Sequence, residues 1–207
     1  MGQGALGAVA FEKGQEILKR AADSGLFRLV VGIESVHGPG LIQAGAWKKA
    51  GFQKGEQFKV EKMKNAVKVI QDYGIEVHGF FIIGFDADTP DTILKTLDFC
   101  QQTNTIPMIS ILSPFPDAPL YRKLVSEDRL LPNPNWEKTA TDELIFKHPT
   151  MSDDEIKSAK NAALRQLYEL TPILKRVAHS VKRRPHPIVF FSSLFSQLGF
   201  RQGINNL

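Results

Sequence analysis

The sequence predicts an α/β fold with a parallel sheet, and three observations carry that prediction. Helix-period and strand-like segments alternate from Glu12 to Leu112. The strand-like segments are nearly all apolar, the pattern of strands buried on both faces. They are separated by helices rather than tight turns, which is the connection parallel pairing needs.

Residues 1–11 are small and read as an irregular N-terminus. Glu12–Ser24 reads as a helix with Ile17, Leu18, Ala21 and Ala22 on one face and Gly25 as its stop. Leu26–Ile33 follows as the first strand, and residues 34–56, broken by Gly38, Pro39, Gly40, Gly45, Gly51 and Gly55, read as a loop with short helical pieces. Gln57–Tyr73 is the second helix, with Met63, Ala66, Val67 and Ile70 at one-face spacing. Ile75–Ile83 is the second strand, rich in β-branched and aromatic residues.

Thr89 suits the cap and Pro90 the first position of a third helix, whose inward stripe is Ile93, Leu94, Leu97 and Cys100. Ile106–Leu112 is the third strand and runs into the proline-rich stretch Ser113–Pro119. A short helix is expected near Tyr121–Glu127. Ser152 and Glu155 form a capping box opening a further helix, which Pro172 interrupts. A final amphipathic segment gathers Phe190, Phe191, Leu194, Phe195 and Leu198. Three strands with their helices make half a barrel and leave one parallel edge exposed. The expected divisions are 1–11, a partial barrel over 12–125, and a mostly helical extension with a basic tail over 126–207.

At 207 residues, with 43% apolar and 23% charged side chains, the chain is a globular sequence. It shows no secretory signal and no long apolar span. A single cysteine excludes an internal disulfide framework and fits a reducing cytoplasm. Net charge is +4, yet no acidic residue follows Glu169. Lys175, Arg176, Lys182, Arg183, Arg184 and Arg201 give the stretch from Pro172 onward +6, leaving the body at −2. The body therefore gives no argument for nucleic acid.

Ligands of parallel α/β sheets sit at the C-terminal ends of strands. Three such ends are present: Gly32–Ser35, Gly79–Asp86 and Ser113–Pro116. Glu34 there suits a cationic amine or hydroxyls, or else backbone N–H groups of the next loop. Gly79 and Gly84 suit close approach of a flat ring, or else a bulge and a turn. Asp86 and Asp88 read as ligands or as cap and dipole partners of the next helix. No histidine pair has metal spacing, no phosphate loop appears, and Cys100 lies on a core stripe.

Together the strand ends are more specific. Leu29-Val30-Val31-Gly32-Ile33-Glu34-Ser35-Val36 resembles the fourth strand of radical S-adenosylmethionine (SAM) enzymes, with its G-x-E-S ending. Tyr73 to Thr89 resembles their fifth strand and its G-x-I-x-G-type adenine motif. Leu112-Ser113-Pro114-Phe115-Pro116 with Pro119-Leu120-Tyr121 resembles the sixth strand, with Asp117-Ala118 standing in place of the family's Gly-Thr. Glu127–Leu131 and Trp136 resemble the stretch after it. The wording, over roughly residues 12–175, is similar to the cobalamin-binding branch of that family.

The resemblance implies the C-terminal half of a (βα)6 partial TIM-like barrel. Its relatives use a 4Fe–4S cluster to cleave SAM to a 5′-deoxyadenosyl radical, and in this branch cobalamin to transfer methyl groups. On matching positions, Glu34 and Ser35 would face SAM's polar part. Gly79, Ile82 and Gly84 would pack near its adenine, and Ser113 and Pro114 would line the mouth. The cluster motif C-x-x-x-C-x-x-C is missing, as are the first three strands. The chain is therefore expected to be a fragment that does not cleave SAM alone, with the missing N-terminal half as partner and a small molecule or lipid as substrate. The alternative is a non-catalytic scaffold whose basic tail lies on an anionic membrane. Against that stands a packed C-terminal helix with solvated basic residues.

Overall fold

The computed structural model describes residues 1–132 and 144–205. Trp136 lies outside the described residues. Four strands form one sheet, β1 (Gly2–Ala5), β2 (Arg28–Glu34), β3 (Glu76–Ile83) and β4 (Ile106–Ile111), in that spatial order and parallel throughout. Eight helices are found among the described residues: α1 (Glu12–Asp23), α2 (Gly38–Gln43), α3 (Val60–Asp72), α4 (Pro90–Thr103), α5 (Pro119–Ser126), α6 (Asp153–Leu167), α7 (Leu170–Arg183) and α8 (Pro187–Asn205).

The α/β class and the parallel sheet are as expected; the strand count is not. Residues 2–5 pair with Leu29–Gly32 as a fourth strand. Gly-Gln-Gly-Ala has no strand propensity of its own. It is strand because β2 offers it a ladder, and because its small residues fit beside Leu29, 3.4 Å from where a Gly4 Cβ would lie. The open sheet has two edge strands, β1 and β4, rather than the single edge expected, and the edge at β1 lies one strand earlier than the first strand read from sequence.

Helix starts follow local chemistry. Thr89 and Thr92 cap each other at the head of α4, with Pro90 first in the helix, and Ser152 and Glu155 do the same for α6. The break between α6 and α7 falls at Tyr168 and Glu169, and Pro172 sits inside the first turn of α7, where its missing N–H is harmless. Ile17 and Leu94, expected inward, are exposed. Leu18, Ala22, Ile93, Leu97 and Cys100 form the buried stripes.

Alternation gives the sheet two different faces. Leu29, Val31 and Ile33 of β2 with Val77, Phe81 and Ile83 of β3 are buried, and Phe81 meets Phe99 of α4 edge-on at 6.0 Å. The opposite face carries Arg28, Val30 and Gly32 beside Glu76, His78 and Phe80, then Met108 and Ser110 beside Phe80 and Ile82. Near the N-terminal ends of the strands this second face is closed. Glu76 and His78 are 5% and 4% exposed. The Arg28 guanidinium donates to the Glu76 carboxylate at 2.9 Å, His78 Nε2 bonds the same oxygen at 2.9 Å, and Ser180 of α7 donates to the other at 3.1 Å. Burial alone would raise the Glu76 pKa; the hydrogen bonds from His78 and Ser193 and the Arg28 charge outweigh it and hold the group below its ordinary value.

The basic tail is engaged inward. Arg176 is buried, donating to Gln197 Oε1 and the Leu167 carbonyl. Arg183 pairs with Asp72, Arg184 donates to the Leu26 and Ala22 carbonyls, and Arg201 to the Tyr168 carbonyl. These contacts tie α7 and α8 to one another and to α1, α3 and α6, so most of the basic stretch expected to be solvated is paired, while Lys175 and Lys182 stay exposed. No helix among the described residues is long and apolar enough to cross a membrane.

Candidate functional site

Parallel pairing brings the C-terminal ends of β2, β3 and β4 to one end of the sheet. There the second face is open. Val30, Gly32, Phe80, Ile82, Met108 and Ser110 are each only half-buried. A parallel sheet normally has both faces covered, so this shelf is an unusual surface.

Glu34 stands at its upper rim. The β2–β3 register slips between Gly32 and Glu34, and Glu34 adopts a left-handed φ of 63°. A non-glycine residue in that region carries strain, which marks functional sites. The bulge turns its side chain back over β2, so that Glu34 Oε1 lies 2.6 Å from where a Gly32 Cβ would be. Only glycine at 32 leaves room for the carboxylate. No donor among the described residues reaches it within hydrogen-bond distance, and the Lys49 charge acts on it from further off. Burial raises its pKa above the ordinary value, with Lys49 opposing. Of the two readings open to Glu34 from sequence, bonding to the next loop's backbone is not what the structure contains.

Ser35 is a neighbour with another task. Its hydroxyl accepts from the His37 N–H at 3.1 Å and lies against Gly40, so it shapes the entry to α2 and faces away from the shelf. Gly79 is also set apart. A Cβ there would meet Thr105, Phe81 and Ile33 at 2.7–2.9 Å, so this glycine lets the helix-covered face close rather than opening the mouth. Ile82 lies on the shelf itself. Gly84 turns the chain out of β3 at φ 97°, and half-buried Ser113 and buried Pro114 follow β4 at the same end.

The loop after β3 is built firmly. Asp88 accepts from the Gly84 and Phe85 N–H groups at 2.8 and 3.1 Å, with burial raising its pKa against those bonds. Asp86 pairs with Arg129 at 2.7 Å and Lys123 at 2.9 Å; chiefly the Arg129 hydrogen bond, with Lys123, lowers its pKa to about 2 despite partial burial. Both aspartates are structural. His148 Nε2 donates to the Phe85 carbonyl at 2.8 Å, because its Nδ1 accepts from Thr150 and Met151. Among the described residues no group of three or more His, Cys, Asp or Glu is arranged for a metal. Cys100 is buried and its thiol pKa is pushed well up by desolvation, so it is core.

Sequence reasoning missed the shelf residues Phe80 and Met108, and Gly32 as the seat of the Glu34 carboxylate. The available signal was the G-x-E spacing, which places a glycine two residues before a carboxylate on one strand face.

No family model matches the chain. It is similar to three curated proteins. One is a bacteriochlorophyllide d C-12(1)-methyltransferase of Chlorobaculum tepidum, 24% identical over 78% of this chain. Another is a hopanoid C-2 methylase of Rhodopseudomonas palustris, 32% identical over 58%. The third is an uncharacterized methyltransferase of Pyrococcus horikoshii, 24% identical over 55%. The matches span 33%, 23% and 25% of these relatives' lengths. All three are named for methyl transfer, and two of the names specify what is methylated, bacteriochlorophyllide d and a hopanoid.

Proposed function

We propose that the chain is the C-terminal, SAM-facing portion of a radical SAM methylase, a half-barrel whose open shelf is one wall of the SAM site. The observation that carries this is Glu34, a strained, half-buried carboxylate with no donor among the described residues, folded over Gly32 at the edge of an uncovered parallel-sheet face. Such a group suits a cationic or hydroxyl-bearing ligand, and SAM has both a sulfonium and ammonium charge and ribose hydroxyls. Ile82, with Phe80 and Met108 beside it, offers the flat apolar surface an adenine needs. Gly84, Ser113 and Pro114 shape the neighbouring rim. Similarity to named methyltransferases supports the reaction class, and the bacteriochlorophyllide d and hopanoid named for two of them suggest an apolar polycyclic substrate.

SAM fits these residues; the iron–sulfur cluster does not. Its three thiolates have no counterpart, since the sole cysteine is a buried core residue. The cluster, and the cobalamin used in the resembling branch, would belong to polypeptide beyond this chain. What this chain's residues do is bind and orient: Glu34 holds the ligand's polar part, and the shelf excludes water from one side of it.

Equilibrium dialysis with labelled SAM tests the reading. The full chain is expected to bind SAM. Glu34→Gln should weaken binding at least about tenfold, the worth of a charge-assisted hydrogen bond. Gly32→Ala, which displaces the carboxylate, should weaken it similarly. Absence of SAM binding, or equal binding by the variants, overturns the proposal. After anaerobic treatment with iron and sulfide the chain should form no 5′-deoxyadenosine. Its appearance would show that the cluster half is not needed.

A further inference from the structure

Arg176 is a buried cation without a paired anion. It is 2% exposed, and its guanidinium donates from Nε to Gln197 Oε1 at 2.6 Å and from Nη2 to the Leu167 carbonyl at 2.7 Å. Both acceptors are neutral. Among the described residues Nη1 has no hydrogen-bond partner, and it is not shut off from solvent. A charge taken out of water without a counter-charge is costly. Desolvation accordingly lowers the Arg176 pKa, with Glu76 acting only as a more distant charge.

Arg176 lines a cavity of about 120 Å³ between the end of α4 and the first half of α7. Cys100, Gln101 and Asn104 form one side; Pro172, Lys175 and Arg176 form the other. None of the six is acidic. Lys175 is exposed and has no ion-pair or hydrogen-bond partner among the described residues. Gln101 adds an exposed side-chain amide. The Cys100 carbonyl already accepts the Asn104 and Thr105 N–H groups.

We propose that this cavity binds a phosphate-class oxyanion, held by Arg176 Nη1 and Lys175 Nζ with the Gln101 amide beside them. Two cations without an acid define the sign of the ligand, and a guanidinium suits the oxygens of phosphate. The volume admits a small oxyanion group and falls well short of the roughly 300 Å³ at which pockets for larger ligands begin. The bound anion supplies the counter-charge that the protein does not place beside Arg176. The cavity lies where α4 leads into β4, at the opposite end of the sheet from the shelf. The inference is therefore independent of the SAM site.

Isothermal titration calorimetry of the full chain at constant ionic strength tests it, with inorganic phosphate and glycerol 3-phosphate as probes. One-site binding is expected at about millimolar Kd or tighter. Lys175→Glu should weaken it at least about tenfold. Lys19→Glu makes the same charge change on α1, which does not line the cavity, and should leave binding within about twofold. Both variants alter exposed side chains and should keep the wild-type melting temperature in chloride. Arg176→Lys keeps the charge but not the fork and should also weaken binding; if it does not fold, the Lys175 and Lys19 variants decide alone. Tighter binding of glycerol 3-phosphate would assign the site to a phosphate ester, and tighter binding of the inorganic ion to free phosphate. Absence of binding by both probes overturns the proposal. So does undiminished binding by Lys175→Glu, or equal weakening by Lys175→Glu and Lys19→Glu, since the attraction would then be general.

Discussion

The two ends of the sheet's second face treat a carboxylate in opposite ways. At the N-terminal end Glu76 is enclosed among Arg28, His78, Ser180 and Ser193, which come from β2, β3, α7 and α8. At the C-terminal end Glu34 is half-buried, strained and has no donor among the described residues. The first arrangement joins the C-terminal helices to the sheet. The second leaves a partly exposed carboxylate whose burial works against its charge and whose oxygens are open to a ligand. In parallel α/β folds the lower end is the structural end and the upper one carries chemistry. The contrast locates that division on one sheet face.

The largest test of this contrast is Glu76→Ala. It strands Arg28 and His78 in a buried site and should cost about 3–5 kcal/mol in urea denaturation. A loss below about 1 kcal/mol would remove Glu76 from the structural role given to it. Gly79→Ala comes next. The added Cβ would lie 2.7 Å from Thr105 Cγ2 and 2.9 Å from Ile33 Cδ1, so overpacking should cost about 1–3 kcal/mol. A neutral outcome would mean that Gly79 serves the open face after all.

Glu34→Gln should behave in the opposite sense. Its folded pKa is raised by burial, so ionisation weighs against the folded state. Wild-type stability relative to the variant should fall as pH rises from about 4.3 through the raised folded value, then stay level. A variant less stable than wild type at neutral pH would show that Glu34 has a native partner. The smallest effect is at Asp86. Its pKa is lowered to about 2 by Arg129 and Lys123, so its contribution is complete above about pH 4 and lost as pH falls toward 2. Asp86→Asn should flatten that acid limb of the stability curve and cost about 1 kcal/mol at neutral pH.

Much of the fold was legible because it rests on local signals. Apolar runs at β2, β3 and β4, the glycine stops, and the Thr89 and Ser152 caps each act within a few residues. β1 was not legible, since Gly-Gln-Gly-Ala becomes a strand only against Leu29–Gly32. Glu34 was legible as a residue at a strand end, but not its left-handed backbone or its seat over Gly32. Ser35 and Gly79 were marked for the same mouth, yet a period of two and one bulge direct them elsewhere.

The tail shows the same limit more sharply. Composition alone gives a basic segment beside phenylalanines, which reads as packed helix below and solvated charge above. Packing alters this: Arg176, Arg184 and Arg201 bond carbonyls and Gln197, Arg183 pairs with Asp72 at the surface, and Phe191 and Phe195 are left outside.

The sequence by itself determined the parallel α/β class and the order of its core elements. Those follow from periodicity and caps, which are properties of neighbouring residues. Only the tertiary structure decided which carboxylate is enclosed by partners and which is left partly exposed, and which side of α8 meets solvent. Partners for a charge come from residues far apart in the chain, such as Arg28 and Ser180 around Glu76, and no local pattern encodes their meeting.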